Sequence, residues 1–164
     1  MKVCYPGTFD PVTKGHMDII RRAAETFGEV VVLIMRNPRK KCLFSEQERK
    51  AMLERCFEAE GLENVTVEIG TGLTVKYTES LGAKGIIRGI RAISDYEYEL
   101  QQATANMMIS DRVETILLIA KPEYSFLSSS VVKEIIVNGG DASAMMPDAI
   151  VEEVTAKLTG ADTI

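Results

Sequence analysis

Cysteine and histidine are scarce in this sequence of 164 residues, which holds three of the first and one of the second. Cys4, Cys42 and Cys56 are odd in number and never form a C-x-x-C pair, so neither a disulfide framework nor a zinc site is indicated. Reduced, packed thiols are the expectation. A serine-hydrolase reading fails too, because there is no G-x-S-x-G elbow and no second histidine to spare. Long apolar runs are also missing. Residues 30–35 and 116–120 are the longest β-type runs, far short of the roughly 18 residues of a membrane span. Residue 1 leads straight into Lys2-Val3-Cys4-Tyr5, which leaves no charged n-region and apolar h-region, and a cytoplasmic location is expected. Positive charge is the minority sign: 19 Lys and Arg against 24 Asp and Glu give a net charge of −5. That excludes a global field for nucleic acid or an anionic membrane, so any anionic ligand must be met by a local basic cluster.

What is present is the material of one globular domain: 46% hydrophobic and 26% charged residues. A chain of this length buries about 70% of its extended surface on folding. Short β-branched runs at 2–5, 29–35, 64–69, 85–88 and 113–120 read as strands. Between and after them, amphipathic stretches at 15–27, 47–60, 73–81, 95–109, 130–138 and 148–158 read as helices. Ser45-Glu46-Gln47-Glu48 and Ser94-Asp95-Tyr96-Glu97 carry capping-box patterns. Five strands, each followed by a helix, imply a parallel sheet with right-handed crossovers. The expected fold is α/β, a single doubly wound, Rossmann-like domain with a five-stranded parallel sheet and helices on both faces. It is expected to span 1–158, with 159–164 a frayed tail.

In such a fold ligands gather outside the carboxyl ends of the strands. After the first strand, Pro6-Gly7-Thr8-Phe9-Asp10-Pro11-Val12-Thr13-Lys14-Gly15-His16 opens into a helix whose free N–H groups favour an anion. It matches neither usual phosphate-loop motif, and Gly70-Thr71-Gly72 lacks a third glycine. His16 is in register with Ile20, Ala23, Ala24 and Phe27, so it faces the sheet and crevice. Gly15 beside it allows a ligand ring to come close. The second strand ends in Arg36-Asn37-Pro38-Arg39-Lys40-Lys41 and the fourth in Arg88-Gly89-Ile90-Arg91. The local basic cluster thus occurs twice, both times at the same edge of the sheet. The last strand leads into Ser128-Ser129-Ser130 with Lys133 one turn on. One cap needs one serine, which leaves other hydroxyls and N–H groups for phosphoryl oxygens.

Thr13-Lys14-Gly15-His16 resembles the (H/T)-x-G-H motif of the nucleotidyltransferase superfamily, and Ser128-Ser129-Ser130-Val131-Val132-Lys133 resembles its S-S-[ST]-x-x-[RK] motif. More narrowly, five ordered blocks resemble the bacterial phosphopantetheine adenylyltransferase family: Tyr5 to Pro11, Pro38 with Lys40-Lys41, Ile87 to Ala92, Asp95 to Glu99, and Ser125 to Ser130. The resemblance runs from about residue 3 to residue 158. It implies transfer of adenylyl from ATP, with Mg²⁺, to 4′-phosphopantetheine, giving dephospho-coenzyme A and pyrophosphate with no covalent intermediate. By that resemblance the catalytic set is His16, Thr8, Lys40, Arg88 and Arg91. Thr8 would position the attacking phosphate and His16 would donate to phosphoryl oxygens in the transition state. Lys40 and Arg88 would hold the phosphopantetheine phosphate, and Thr74 a contact to its arm. Phe9, Gly89, Ile90, Arg91 and Glu99 would line the ATP site. Tyr124, Ser125, Phe126, Leu127, Ser128, Ser129 and Ser130 would wrap the adenine side and the triphosphate. No protein side chain is assigned to a metal. The family also implies a homo-hexamer inhibited by coenzyme A, and neither nucleic acid nor membrane as partner.

Two positions depart from the family pattern. Tyr124 stands where tryptophan is frequent and Gly72 where aspartate is, which bears on adenine fit and pantetheine-side affinity more than on reaction type. Met107, Met108 and Ile109 suit a subunit contact and a core equally. Two other readings remain: a transferase acting on nicotinamide mononucleotide or glycerol phosphate, and a catalytically silent sensor of ATP or coenzyme A. The Arg88-Gly89-Ile90-Arg91 block and the Pro-x-Lys-Lys loop argue against the first. The presence of both His16 and Lys40 argues against the second, since a sensor needs no transition-state donor.

Overall fold

A computed structural model describes residues 1–161. Five strands, β1 (Lys2–Gly7), β2 (Glu29–Met35), β3 (Val65–Gly70), β4 (Gly85–Ile90) and β5 (Glu114–Ile119), form one sheet in the order β3-β2-β1-β4-β5. Every pairing is parallel. The helices are α1 (Lys14–Phe27), α2 (Glu46–Glu60), α3 (Thr74–Ser80), α4 (Ile93–Ile109), α5 (Ser129–Val137) and α6 (Val151–Thr159). The expected α/β architecture is the observed one, with strand and helix ends displaced by a few residues. β1 and β4 each run two residues further than their β-branched cores.

Alternation along the strands sorts the core into two layers. Val3, Tyr5, Val30, Val32, Ile34 and Ile87 face one side, with buried residues of α1, α2, α5 and α6. Cys4, Val31 and Leu33 face the other, against Ala83, Tyr77 and Leu81 at and after α3. The inner strand β2 is buried on both faces, as a parallel strand covered by helices must be.

The chain winds outward from β1 to β3, then crosses over to β4 and β5, so strand order reverses between β1 and β4. Their pairing is short. It covers only Val3↔Gly85 and Cys4↔Ile86, after which the two strands part. β1 keeps six rungs with β2, and β4 six with β5, so the split lies between two well-held halves. A crevice at this switch point is where such folds bind ligands.

Two local readings differ from expectation. The Ser45 box forms with Glu48, but the Ser94 pattern does not cap a helix: α4 starts at Ile93 with Ala92 as its N-cap and no side-chain cap. Asp95 instead accepts the Arg91 N–H at 2.9 Å, and the helix begins two residues earlier. α6 reaches Thr159, with Gly160 closing it, so the segment expected as a tail begins helical; residues 162–164 lie outside the described residues.

α4 and the edge strand β5 leave an apolar surface. Ile93, Tyr98, Met107, Met108 and Ile119 are each more than half exposed, so Met107 and Met108 stand outside the core. Among the described residues no helix is long and apolar enough to cross a membrane.

Ile87, fully buried beside the split, tests the packing. Ile87→Ala is expected to lower unfolding free energy by about 2–5 kcal/mol in urea titrations; a loss under about 0.5 kcal/mol would contradict this core assignment.

Candidate active site

The split between β1 and β4 opens into a cleft of about 800 Å³. Its lining comes from the ends of all the elements that converge there: the β1–α1 loop, the β2–α2 loop, the starts of α1, α3 and α5, and the end of β4. Of the residues picked out in the sequence, Thr8, Phe9, His16, Lys40, Thr74, Arg88, Gly89, Arg91, Glu99, Tyr124, Leu127, Ser128, Ser129 and Ser130 line it. Ile90, Ser125 and Phe126 do not. Ile90 is buried and its carbonyl accepts the Ala120 N–H, while Phe126 is exposed and the Ser125 hydroxyl turns back to the Pro122 carbonyl.

His16 occupies the N3 position of α1 and completes a capping box in a form the sequence does not advertise. Thr13 Oγ1 accepts the His16 N–H, and the Thr13 N–H donates to His16 Nδ1 at 3.0 Å. The histidine fills the place usually taken by Glu or Gln. A backbone N–H only donates, so Nδ1 must accept, and the neutral ring carries its proton on Nε2. Burial, reinforced by the positive charge of Arg91, pushes the His16 pKa down to about 4. At neutral pH the ring is therefore uncharged and offers one N–H donor beyond its cap.

Phe9 holds that ring in place. Its own ring stands edge-on to His16 at 5.0 Å and to Tyr5 at 5.5 Å. Phe9 has φ +50, a left-handed backbone rare outside glycine, and the whole residue is buried. A Cβ on Gly7 would lie 2.7 Å from the Phe9 ring, which explains the glycine there. Gly15 makes a different approach: its missing Cβ would meet Tyr124 at 3.5 Å and Leu127 at 3.7 Å, bringing the segment after β5 close to the start of α1.

The cations are held in distinct ways. Lys40 Nζ donates to Thr8 Oγ1 at 2.8 Å, joining the two loops of the first half-site. Arg88 makes a two-pronged pair with Glu99, both bonds 2.7 Å, and donates a third bond to the Pro6 carbonyl across the β1–β4 split. Burial works against its charge, but Glu99 holds the Arg88 pKa above its ordinary value. Glu99 is itself buried with both oxygens on Arg88, so its visible partner is that guanidinium. Arg91 is tied to Asp95 and, through Nη1, to the Leu127 carbonyl. Of the three serines, Ser128 caps α5 and Ser129 donates to the Pro11 carbonyl at 2.7 Å, while Ser130 is exposed on the lining.

Asp10, Arg49 and Asp18 carry weight the sequence reading did not assign them. Buried Asp10 accepts the Leu43 and Phe44 N–H groups at 2.8 and 2.9 Å and pairs with Lys133 at 3.1 Å. Arg49, also buried, donates to the carbonyls of Thr8, Phe44 and Ser45. Asp18 faces Arg22 at 3.0 Å and Lys121 at 3.1 Å, anchoring the segment that follows β5 to α1. No sequence spacing connects the distant partners; Asp10 and Lys133 are 123 residues apart.

Among the described residues no group of three or more His, Cys, Asp or Glu side chains is placed to hold a metal ion. His16 Nδ1 is committed to its cap, with the Thr13 N–H at 3.0 Å and Thr13 Oγ1 at 3.2 Å. A doubly wound sheet, a crevice at its switch point and a wall of fixed donors define a binding site for a phosphorylated ligand. Comparison with known proteins narrows this. Residues 4–135 match the cytidylyltransferase-like family. The chain is 45% identical over 158 residues to the phosphopantetheine adenylyltransferase of Thermotoga neapolitana, covering 96% of this chain and 97% of that protein. It is 46% identical to that of Finegoldia magna (96% of each chain) and 45% identical to that of Gloeothece citriformis (94% and 98%). The chain belongs to the phosphopantetheine adenylyltransferase family.

The single histidine makes its state directly readable. Long-range ¹H–¹⁵N spectra are expected to show Nε2 protonated and Nδ1 bare from pH 8 down to about 5; protonation of both nitrogens above pH 6 would contradict the cap. Because the folded pKa lies below the unfolded value of 6.5, the unfolded chain binds the proton more readily, so this group makes stability rise as pH goes from about 4 to about 6.5 and adds nothing further above it.

Proposed function

We propose that this protein transfers the adenylyl group of ATP to the phosphate of 4′-phosphopantetheine, forming dephospho-coenzyme A and pyrophosphate. An oxygen of the phosphopantetheine phosphate attacks the α-phosphorus of ATP, and the bond from that phosphorus to the α–β bridging oxygen breaks, the electron pair leaving with pyrophosphate. The observation that carries the proposal is the capped, neutral His16, an uncharged fixed donor between the Thr8–Lys40 side of the cleft and the serines at the start of α5. Such a donor suits charge that grows on phosphoryl oxygens during displacement, and it needs no reorganisation at the moment of reaction.

In this reading Thr8, Lys40 and Arg88 receive the phosphopantetheine phosphate, and Thr74 meets its arm. Arg91, Gly89, the backbone of Phe9 and the Tyr124–Ser130 segment receive ATP. Glu99, expected on the ATP side, has both oxygens on Arg88 and positions that guanidinium. Mg²⁺ enters as part of the ATP substrate, held by the triphosphate. Holding both reactants in line supplies the main share of the acceleration. The exposed apolar face of α4 and β5 suits burial against further copies of the chain in a hexamer, and coenzyme A, which shares the phosphopantetheine arm, suits the same cleft as a feedback inhibitor. A cytoplasmic setting fits this chemistry.

Purified protein incubated with ATP, Mg²⁺ and 4′-phosphopantetheine is expected to yield dephospho-coenzyme A by mass spectrometry. His16→Ala is expected to lower turnover by about 10²–10³ with ATP affinity nearly intact. Lys40→Ala is expected to raise KM for phosphopantetheine. A folded protein that binds ATP yet forms no product would overturn the proposal, and a His16→Ala variant that loses ATP affinity in step with rate would remove His16 from the reacting centre.

A further inference from the structure

One polar group in the cleft has no partner. Tyr5 is the first β1 residue beyond the last rung to β4, so it sits at the root of the split. Its side chain is 7% exposed, yet it forms part of the cleft lining. The edge-on contact with Phe9 fixes the ring. Among the described residues its hydroxyl makes no hydrogen bond, although Arg88, Glu99 and Arg91, which surround it, make seven between them. Those bonds are directed elsewhere. The hydroxyl is not sealed in as an enclosed unpaired atom would be, so it is open to the cleft and to whatever binds there.

The space over the hydroxyl is kept clear. A Cβ on Gly89 would come within 3.9 Å of Tyr5 Oη and 3.6 Å of Ile19 Cγ1. Glycine at 89 therefore leaves a gap above the hydroxyl that any other residue would narrow. Burial raises the Tyr5 pKa to about 12 even against the lowering effect of Arg88 and Arg91, so the group keeps its proton through the physiological range. A donor in a cationic neighbourhood selects an acceptor with negative charge, and phosphoryl oxygens have no proton to offer in return.

We propose that the Tyr5 hydroxyl is a further nucleotide-binding group, donating a hydrogen bond to a phosphoryl oxygen of the nucleotide across the gap left by Gly89. This rests on the reading of the cleft as an ATP site. It assigns the floor of the site to a neutral donor at the centre of the sheet, while the charged donors occupy the rim.

Tyr5→Phe removes the oxygen and breaks no bond within the protein, so the fold and melting temperature are expected to stay unchanged. Calorimetric titration of the full chain is expected to show affinity for ATP lowered about tenfold or more, as for a hydrogen bond to a charged acceptor. Affinity for adenosine should be unchanged, and KM for 4′-phosphopantetheine should move less than twofold. ATP affinity within twofold of the parent overturns the proposal, as does an equal loss for adenosine, which would place the contact on the nucleoside. A parent protein that binds ATP but forms no dephospho-coenzyme A would end the transfer reading while the affinity comparison still decides Tyr5. A parent that binds no ATP overturns both.

Discussion

Everything at this site hangs on a carboxylate that touches no substrate in the proposed reaction. Asp10 is buried at the end of the β1 loop and gathers two backbone N–H groups from the start of the Phe44 segment and the ammonium of Lys133 from α5. Three stretches far apart in sequence are thereby fixed to one atom group. Arg49 repeats the device with opposite charge, binding the Thr8 carbonyl to those of Phe44 and Ser45. Removing one partner from a buried ionic set costs about 3–5 kcal/mol, because the other is left uncompensated. The loop that presents Thr8 is thus tied to the start of α2 and to α5.

That anchoring matters because the proposed chemistry asks little else of the protein. Phosphoryl transfer between bound reactants is accelerated by alignment and by donors already aimed at the developing charge. The acidic chain meets an anionic ligand by concentrating cations at one edge of the sheet and pairing several with buried or half-buried carboxylates: Arg88 with Glu99, Arg91 with Asp95, Lys133 with Asp10. Such pairing fixes direction and keeps the cleft from depending on net charge. Lys40, which has a hydroxyl in place of a carboxylate as its partner, is the freer cation. It lies on the exposed loop after β2, where a ligand can draw it in.

The fold was legible because periodicity alone separates half-buried and buried strands from amphipathic helices, and alternation then dictates a parallel, doubly wound sheet. The cationic edge was legible as well, since Arg36–Lys41 and Arg88–Arg91 stand just past strand ends. Other features were hidden for particular reasons. The His16 cap escaped because capping boxes are recognised by Glu or Gln at N3. The Ser94 pattern misled because Arg91 claims Asp95. Phe9 turns its ring into the core through a positive φ that residue type does not announce. Asp10 with Lys133, and Asp18 with Lys121, pair across more than a hundred residues, a distance no local pattern spans.

The central claim is that fixed donors align a single displacement at phosphorus, with no group of the protein entering the bond. Stereochemistry at that atom tests this most directly. With one diastereomer of adenosine 5′-(1-thiotriphosphate) and 4′-phosphopantetheine, one in-line displacement predicts inversion of configuration at the transferred phosphorus. Retention would require two successive displacements through an adenylylated protein group, and would contradict the account.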